Sequence, residues 1–382
     1  MTPATHLGDD ELAAWLHLLH SEGVGRDTAR RLLAYFGSPQ AAVAASPTDL
    51  AGVVNLKIAQ ALAQTPAGHA QRVAATLAWR SAAPARRVMV LGDADYPPLL
   101  LHSADPPLLL YLQGRAALLN ARSVAIVGSR QASAQGLDNA RAFARTLARN
   151  GWVIVSGLAA GIDAAAHQGA LDADAEGGAG TVAVVGTGVD RIYPHSHQAL
   201  TQRIAEHGLI VSELALGTPP LAPNFPQRNR LIAGLSRGTL VVEAALRSGS
   251  LITARLAAEA GREVMALPGS LLAPQSHGCH ALIRQGAALV VSAEQVLDEL
   301  NGLPALSLLD ALSEPTAPPD MTESLDDDAV LRALGHDPLS LDALINRCGW
   351  SASALSAHLL TLELDGRVAR LPGGLYQRRQ AS

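Results

Sequence analysis

The chain has 382 residues and a formal net charge of −5, and 48% of the residues are apolar, 16% charged and 3% aromatic. This length holds two or three domains with full cores. The composition excludes collagen, coiled coils and intrinsic disorder. A negative charge argues against a nucleic-acid partner, but the deficit comes from residues 301–328, which hold seven acids and no base. The remaining chain is near neutral, so a phosphate-binding function stays open.

Cysteine usage and the N-terminus indicate the cellular compartment. Cys279 and Cys348 are far apart in the sequence, which favours neither a disulfide framework nor a metal site. The N-terminus lacks the basic and apolar regions of a signal peptide, and no apolar run approaches ~20 residues. We therefore expect a cytoplasmic protein without a membrane segment.

Residues 1–82 have helical apolar spacing, as at Leu12, Trp15, Leu16 and Leu19, and predict an all-helical domain of SAM or helix-hairpin-helix type. Its centre, Glu22 to Leu33, contains a Gly-x-Gly turn that would end one helix and expose the first amides of the next. Such amides suit a DNA phosphate. An ordinary helical hairpin explains the same residues equally well.

Residues 83–300 alternate β-branched runs with helical stretches, which predicts an α/β domain with a Rossmann-like, doubly wound, mostly parallel sheet. The predicted strands are Val88–Leu91, Leu108–Leu112, Val124–Val127, Val153–Val155, Val182–Val185, Leu209–Val211, Leu240–Val242, Val264–Ala266 and Leu289–Val291.

The last two segments differ in composition. Residues 301–328 combine prolines with acids and predict a disordered linker. Residues 329–382 carry helical patterns followed by two short strands around Gly373-Gly374, with the first helix starting from Asp326, and predict a winged helix.

Four loops that follow predicted strands carry small residues where a helix begins, and they span residues 128–130, 156–163, 186–190 and 247–253. Because ligands of an open parallel sheet bind at the carboxyl ends of the strands, these loops predict one anion-binding shelf. Glycines after strands also serve tight turns, which is the simpler explanation for any single loop. The shelf residues are Gly128, Ser129, Arg130, Ser156, Gly157, Gly161, Asp163, Ser248, Gly249, Ser250 and Thr253.

Arg228, Asn229 and Arg230 follow Pro226, and we predict them in the first turn of a helix that Pro226 separates from the preceding loop. Cations there oppose the helix dipole, so the two guanidinium groups need a phosphate or a carboxylate. Direct ligand contact and internal pairing with Glu243 or Asp163 are equally good explanations.

The motifs favour binding over catalysis. The sequence contains neither a GxGxxG motif with its acidic partner nor a GxxxxGK[ST] motif, and the loops present no Ser/His/Asp set or metal-spaced His cluster. We therefore predict no cofactor and no enzymatic activity.

Together these residues resemble the bacterial DNA-processing protein A (DprA/Smf) family. The matching strings are VAIVGSR (124–130), VSGLAAGID and AAAH (155–167), VGTGVDRIYP (185–194), SELALGTPP…MALPGS (212–270) and HGCHALIRQGAALV (277–290). The resemblance implies a non-enzymatic protein that binds and protects incoming single-stranded DNA during natural transformation and helps to load the RecA recombinase. It also implies a homodimer through the Rossmann-like domain.

The resemblance assigns roles by position. Gly128, Ser129 and Arg130 would hold a phosphate, and His280, Ile283 and Leu289 would form the dimer or RecA-facing surface, although a plain helix-strand core explains them as well. His195 stands where many relatives have Lys. Because an imidazole is mostly neutral at pH 7, we expect weaker and more pH-sensitive binding.

Two other functions remain open. A LOG-type nucleotide phosphoribohydrolase shares the fold, and Glu243 would be a remnant of its signature, orienting Arg230 or Ser250. A duplex-DNA regulator would use the winged helix, but the expected recognition helix at 352–365 has neither Arg nor Lys. We expect that domain to bind protein or to regulate.

Overall fold

The computed structural model describes residues 7–302, 328–334 and 338–379. The first part is all helical, as predicted. Its core is built from leucines that repeat at helical spacing and are fully buried, among them Leu12, Leu18, Leu32 and Leu62. The helices are α1 (Asp9–His20), α2 (Arg26–Phe36), α3 (Pro39–Ala44), α4 (Pro47–Ala51), α5 (Leu56–Leu62) and α6 (His69–Ser81).

The central part contains a nine-stranded sheet. Its strands are β1 (Arg86–Val90), β2 (Leu109–Gly114), β3 (Ser123–Val127), β4 (Val153–Ser156), β5 (Thr181–Val184), β6 (Leu209–Ser212), β7 (Gly238–Val241), β8 (Glu263–Ala266) and β9 (Ala288–Leu289). The order is β1-β2-β6-β5-β4-β3-β7-β8-β9, and only β2 runs antiparallel to its neighbours. This confirms the predicted Rossmann-like, mostly parallel sheet.

Helices cover both faces of this sheet, which explains why its strands are nearly continuous apolar runs. The helices are α7 (Pro98–Leu101), α8 (Ala134–Arg149), α9 (Ile162–Asp174), α10 (Gln198–His207), α11 (Asn224–Leu235), α12 (Ser250–Glu259), α13 (His277–Arg284) and α14 (Ala293–Asn301). One core lies beneath α8, α9 and α14, and the other beneath α11, α12 and α13.

The start of α11 corrects a sequence-based expectation. The helix begins at Asn224, so Pro226 lies within the first turn, and Arg228, Asn229 and Arg230 lie in the second turn and not in the first as predicted. Proline is tolerated in a first turn because the amides there have no intrahelical acceptor. Arg228 therefore does not oppose the helix dipole at its end, and its role has to be read from its contacts.

The C-terminal part is a winged helix, as predicted. It consists of α15 (Ala329–Leu334), β10 (Leu339–Ser340), α16 (Leu341–Cys348), α17 (Ala352–Leu364), β11 (Val368–Leu371) and β12 (Leu375–Arg378), with sheet order β10-β12-β11. Its Arg379 pairs with Asp138 of α8 at 3.1 Å. Asp326 and most of the predicted linker, residues 303–327, lie outside the described residues.

Candidate nucleic-acid interface

A cleft of about 790 Å³ opens at the carboxyl edge of the sheet, between the loops that follow β3 and β7. This position is the topological switch point of the sheet, because β4 lies on one side of β3 and β7 on the other. The predicted residues that line it are Gly128, Ser129, Arg130, Asp163, Arg228, Asn229, Ser248, Gly249, Ser250 and Thr253. The structure therefore brings most of the predicted shelf into one cleft.

Two glycines of the shelf are required by packing. Gly161 has a φ of +80°, and a Cβ there would lie 2.2 Å from the carbonyl oxygen of Ser129. A Cβ on Gly128 would lie 2.6 Å from Cγ1 of Ile162. These glycines let the loops after β3 and β4 touch, and neither position needs a ligand to explain it.

The floor of the cleft is a buried polar cluster around Arg228. Its guanidinium donates to the carbonyl oxygens of Gly157, at 2.5 Å, and Val184. Burial lowers the pKa of Arg228 to about 10, so it stays charged at neutral pH. Burial raises the pKa of Asp163 while Arg228 opposes the rise, and the Asp163 carboxylate accepts from the amides of Gly157 and Ala159.

These contacts tie the ends of β4 and β5 together. A Cβ on Gly157 would lie 2.3 Å from the Arg228 guanidinium, so a glycine is needed to admit it. Ser156 is fully buried, and its hydroxyl donates to the carbonyl oxygen of Ile126 at 2.6 Å. Ser156, Gly157 and Arg228 thus make internal contacts that shape the cleft from below.

Arg230 lies outside the cleft. Its guanidinium binds the Glu213 carboxylate and the carbonyl oxygen of Asp105. Internal pairing is therefore its role in the structure, but with partners other than the predicted Glu243 or Asp163. The sequence could not reveal this because the partners lie 17 and 125 residues away.

Glu243 also differs from its predicted role, because it orients neither Arg230 nor Ser250. Its carboxylate accepts from the amide of Ser133 at 2.9 Å and from the Ser133 hydroxyl at 2.5 Å. The same hydroxyl accepts from the amide of Gly136 at 2.9 Å and caps α8. Glu243 therefore stabilises the start of α8, where a negative charge matches the helix dipole.

The loop before α12 is held in place by its own serines. The hydroxyls of Ser248 and Ser250 are 2.7 Å apart, and the amide of Ser250 donates to the Ser248 hydroxyl at 3.3 Å. Asn229 donates to the carbonyl oxygen of Gly249 at 3.4 Å. Since α12 begins at Ser250, the first amides of this helix lie at the wall of the cleft.

Two exposed arginines and two aromatic rings complete the cleft. The Arg130 guanidinium lies 5.6 Å from the centre of the Phe225 ring, which is 5.4 Å from the Tyr193 ring. Tyr193 is 40% exposed. Within the described part of the chain no carboxylate forms a salt bridge with Arg130 or Arg247, although Arg130 is close enough to Asp163 to oppose the rise of its pKa. These cations are available to an anion that enters the cleft.

Arg247, Tyr193 and Phe225 are site residues that the sequence analysis missed. Arg247 directly precedes the predicted Ser248 and could have been included on that ground. The two rings come from separate loops, so only their rarity gave a signal, because the whole chain has three Phe and five Tyr.

His195 lies in an exposed 3₁₀ turn, His195–His197, which does not line the cleft. The ring of the nearby His197 contacts the carbonyl oxygen of Leu158 at 3.1 Å through Nδ1. A DNA contact of His195 therefore remains a prediction, and it requires a bound DNA strand that extends beyond the cleft.

The predicted dimer surface lies at the β9 edge of the sheet. Leu289 is 52% exposed, Ile283 is partly buried against the core, and His280 contacts the carbonyl oxygen of Gly269 at 3.1 Å through Nε2. Leu271 and Leu272, in the loop after β8, are 79% and 86% exposed. The edge thus combines an open strand with apolar side chains.

The helix-hairpin-helix turn of the N-terminal domain faces the central domain. Arg26 and Arg30 pair with Asp105 at 2.7 and 2.6 Å, across a second cleft of about 690 Å³ that the start of α2 lines. Both candidate explanations of this turn remain, but its two arginines are already paired with Asp105.

The winged helix exposes no cation on α17, whose outer residues include Leu360 and Leu364, at 56% and 81% exposure.

Among the described residues, no helix is long and apolar enough to cross a membrane, and none of their His, Cys, Asp and Glu side chains form a group of three suited to a metal ion.

Comparison with known proteins gives a consistent result along the chain. The family model of DNA recombination-mediator protein A matches residues 87–301, a DprA winged-helix model matches 314–374, and a DprA-like N-terminal HHH model matches 9–71. Protein Smf of Escherichia coli is 43% identical over 77% of this chain and 78% of its own length. DNA processing protein DprA of Streptococcus pneumoniae is 48% identical over 55% and 72%.

Solved structures agree with these relatives. The crystal structure of DNA processing protein A from S. pneumoniae superposes with a TM-score of 0.65 at 37% identity, covering 77% of this chain and 98% of that one. DNA processing protein A from Helicobacter pylori, a structure described as showing its single-stranded DNA binding mode, gives 0.51 at 33% identity, with 56% and 96% covered. By sequence and by fold, the chain belongs to the DNA-processing protein A (DprA/Smf) family.

Proposed function

We propose that this protein binds single-stranded DNA in the cleft between the β3 and β7 loops and has no enzymatic activity. The observation that carries the proposal is the combination, in one cleft, of two unpaired arginines, the first amides of α12 and two adjacent aromatic rings. Cations and helix amides attract phosphate, and rings stack on bases. The named binding mode of the H. pylori relative supports it.

The aromatic pair favours a single strand over a duplex. A base can stack on a protein ring only if its face is free, and in a duplex the faces are covered by neighbouring base pairs. The Phe225 ring already has the Arg130 guanidinium near it, so a base and a phosphate of one nucleotide can both be bound there.

The contacts of Glu243 do not support the hydrolase alternative. Both carboxylate oxygens of Glu243 accept hydrogen bonds from Ser133, at the start of α8. The acid that lines the cleft, Asp163, is 7% exposed and accepts from the amides of Gly157 and Ala159. Glu243 and Asp163 are therefore both engaged in structural hydrogen bonds, which favours binding as the function of the cleft.

The wider function follows from the family. We infer that the bound strand is incoming DNA in natural transformation, that binding shields it from nucleases, and that the protein helps to load RecA onto it. A homodimer through the central domain, using the β9 edge with His280, Ile283 and Leu289, belongs to the same proposal. The half-exposed Leu289 in this open edge strand supports a protein partner there.

The test compares fluorescence anisotropy of labelled oligo-dT and of a duplex of equal length, at two salt concentrations. We expect the parent protein to prefer the single strand. Arg130→Ala should lower its affinity for oligo-dT severalfold and make that affinity less dependent on salt concentration. Arg145→Ala is the matched control, because Arg145 is a half-exposed arginine of α8 paired with Glu176 and distant in the sequence from every cleft loop. Duplex binding that survives Arg130→Ala would instead support the winged-helix regulator.

A further inference from the structure

A second groove adjoins the cleft on the other side of the α12 start. It has a volume of about 690 Å³ and lies between α12 and the segment formed by α13 and the turn before β9. Arg247, Ser248 and Ile252 line both the cleft and this groove. A flexible polymer bound in the cleft can therefore continue into the groove without leaving the protein surface.

The walls of this α12 groove combine apolar side chains with arginines. Leu251, Arg255 and Ala258 are spaced four and three residues apart, so they form one face of α12. Ala281 and Leu282 of α13 form the opposite wall. A groove of this kind offers contact surface to flat or apolar groups but fixes no particular hydrogen-bond pattern, as expected for sequence-independent binding.

The charged groups that line the α12 groove have a positive excess. They are Arg247, Arg255 and Arg262 against one acid, Glu263. Arg255 contacts Glu259 at 3.4 Å, but both side chains are exposed, at 70% and 60%, so this pair is weak. The cleft beside the helical domain differs, because its Arg26 and Arg30 are already paired with Asp105.

We propose that the α12 groove is a second subsite for the same single strand, extending the proposed DNA-binding function beyond the cleft. Phosphates lie at Arg247 and Arg255, and sugars and bases lie along the apolar walls. The positive excess and the shared residues favour this direction for the strand over a path toward the helical domain, where three arginines and three acids line the cleft. The strand therefore occupies a longer site than the cleft alone provides.

The test separates the two subsites by oligonucleotide length. Anisotropy is measured for oligo-dT of about 6 and about 20 nucleotides, within the range of known single-strand sites and beyond it. We expect Arg255→Ala to lower the affinity for the longer oligonucleotide severalfold and to leave the affinity for the shorter one unchanged. For the longer one, the salt dependence of log affinity should become shallower by about 0.7, as expected for one lost phosphate contact. Arg145→Ala changes neither.

Three outcomes would overturn this inference. If Arg255→Ala lowers the affinity for both lengths equally, or changes the affinity for neither, the strand ends within the cleft. A smaller sedimentation coefficient of DNA-free Arg255→Ala means that the groove is an interface between copies of the chain. Failure of the cleft itself has a different signature, since Arg130→Ala would then leave both lengths unaffected.

Discussion

The buried His167 makes the stability of the central domain depend on pH. The Thr181 hydroxyl donates to the carbonyl oxygen of Ile154 at 2.6 Å, so it must accept from Nδ1 of His167, 2.8 Å away. Nε2 then accepts from the amide of Leu158 at 3.3 Å. This geometry requires the neutral ring, and burial, assisted by Arg228 and His197, lowers the pKa of His167 from 6.5 to about 3.

The sign and size of the effect follow from proton linkage. The unfolded chain binds a proton at His167 as the pH falls below 6.5, and the folded protein does so only near 3. Stability is therefore full above pH 6.5 and falls at about 1.4 kcal/mol per pH unit below it. Between pH 7 and pH 5 this single group lowers the free energy of unfolding by about 2 kcal/mol.

The assay is histidine NMR of the full chain, with His167→Gln used to assign the signal. We expect the His167 ring shift to stay constant from pH 7.5 to pH 4.5, and urea unfolding of the parent to lose more stability between pH 7 and pH 5 than the variant does. A ring that titrates with a midpoint above pH 5 would refute the reasoning, whatever the variant does.

Three further substitutions test the cleft. Gly161→Ala places a Cβ at positive φ and 2.2 Å from a carbonyl oxygen, so we expect the free energy of unfolding to drop by at least ~2 kcal/mol in urea; an unchanged midpoint would contradict this. Phe225→Leu keeps an apolar contact but removes the ring, so the affinity for oligo-dT should fall roughly fivefold to a hundredfold. An unchanged free energy of unfolding in urea is the control that the variant is folded. Glu243→Gln should cost about 1 kcal/mol of stability through α8 while DNA affinity stays the same; lost affinity with normal stability would give Glu243 a ligand role.

The sequence predicted the sheet and its ligand-binding edge because both depend on local patterns. Each predicted strand overlaps an observed one, since an apolar run of three to five residues in a sheet buried on both faces leaves little alternative. The position of the shelf then followed from the general rule that ligands bind at the carboxyl edge.

The partners of the charged side chains could not be predicted in this way. Arg230 is paired with Glu213 and Glu243 is bound to Ser133 because of how separate loops approach one another in space. The predicted position of Arg228 is wrong for a different reason, because Pro226 lies inside the first turn of α11, where proline is tolerated, and not before the helix. The roles of these groups required the tertiary structure.

The distribution of unpaired cations, rather than the net charge, sets how this protein can attract a polyanion. The central domain has as many acids as bases, but Asp105 and Glu213 bind Arg230, and neither Asp163 nor Glu243 pairs with Arg130 or Arg247. Each phosphate contact of a single strand contributes about −0.7 to the slope of log affinity against log salt concentration. The two free arginines of the cleft therefore predict a slope near −1.4, and Arg255 in the α12 groove adds about −0.7 for a long strand. Such shallow slopes mean that stacking on Phe225 and Tyr193 and the amides of α12 supply much of the affinity. Binding should then persist at salt concentrations that release single strands from proteins relying on many phosphate contacts.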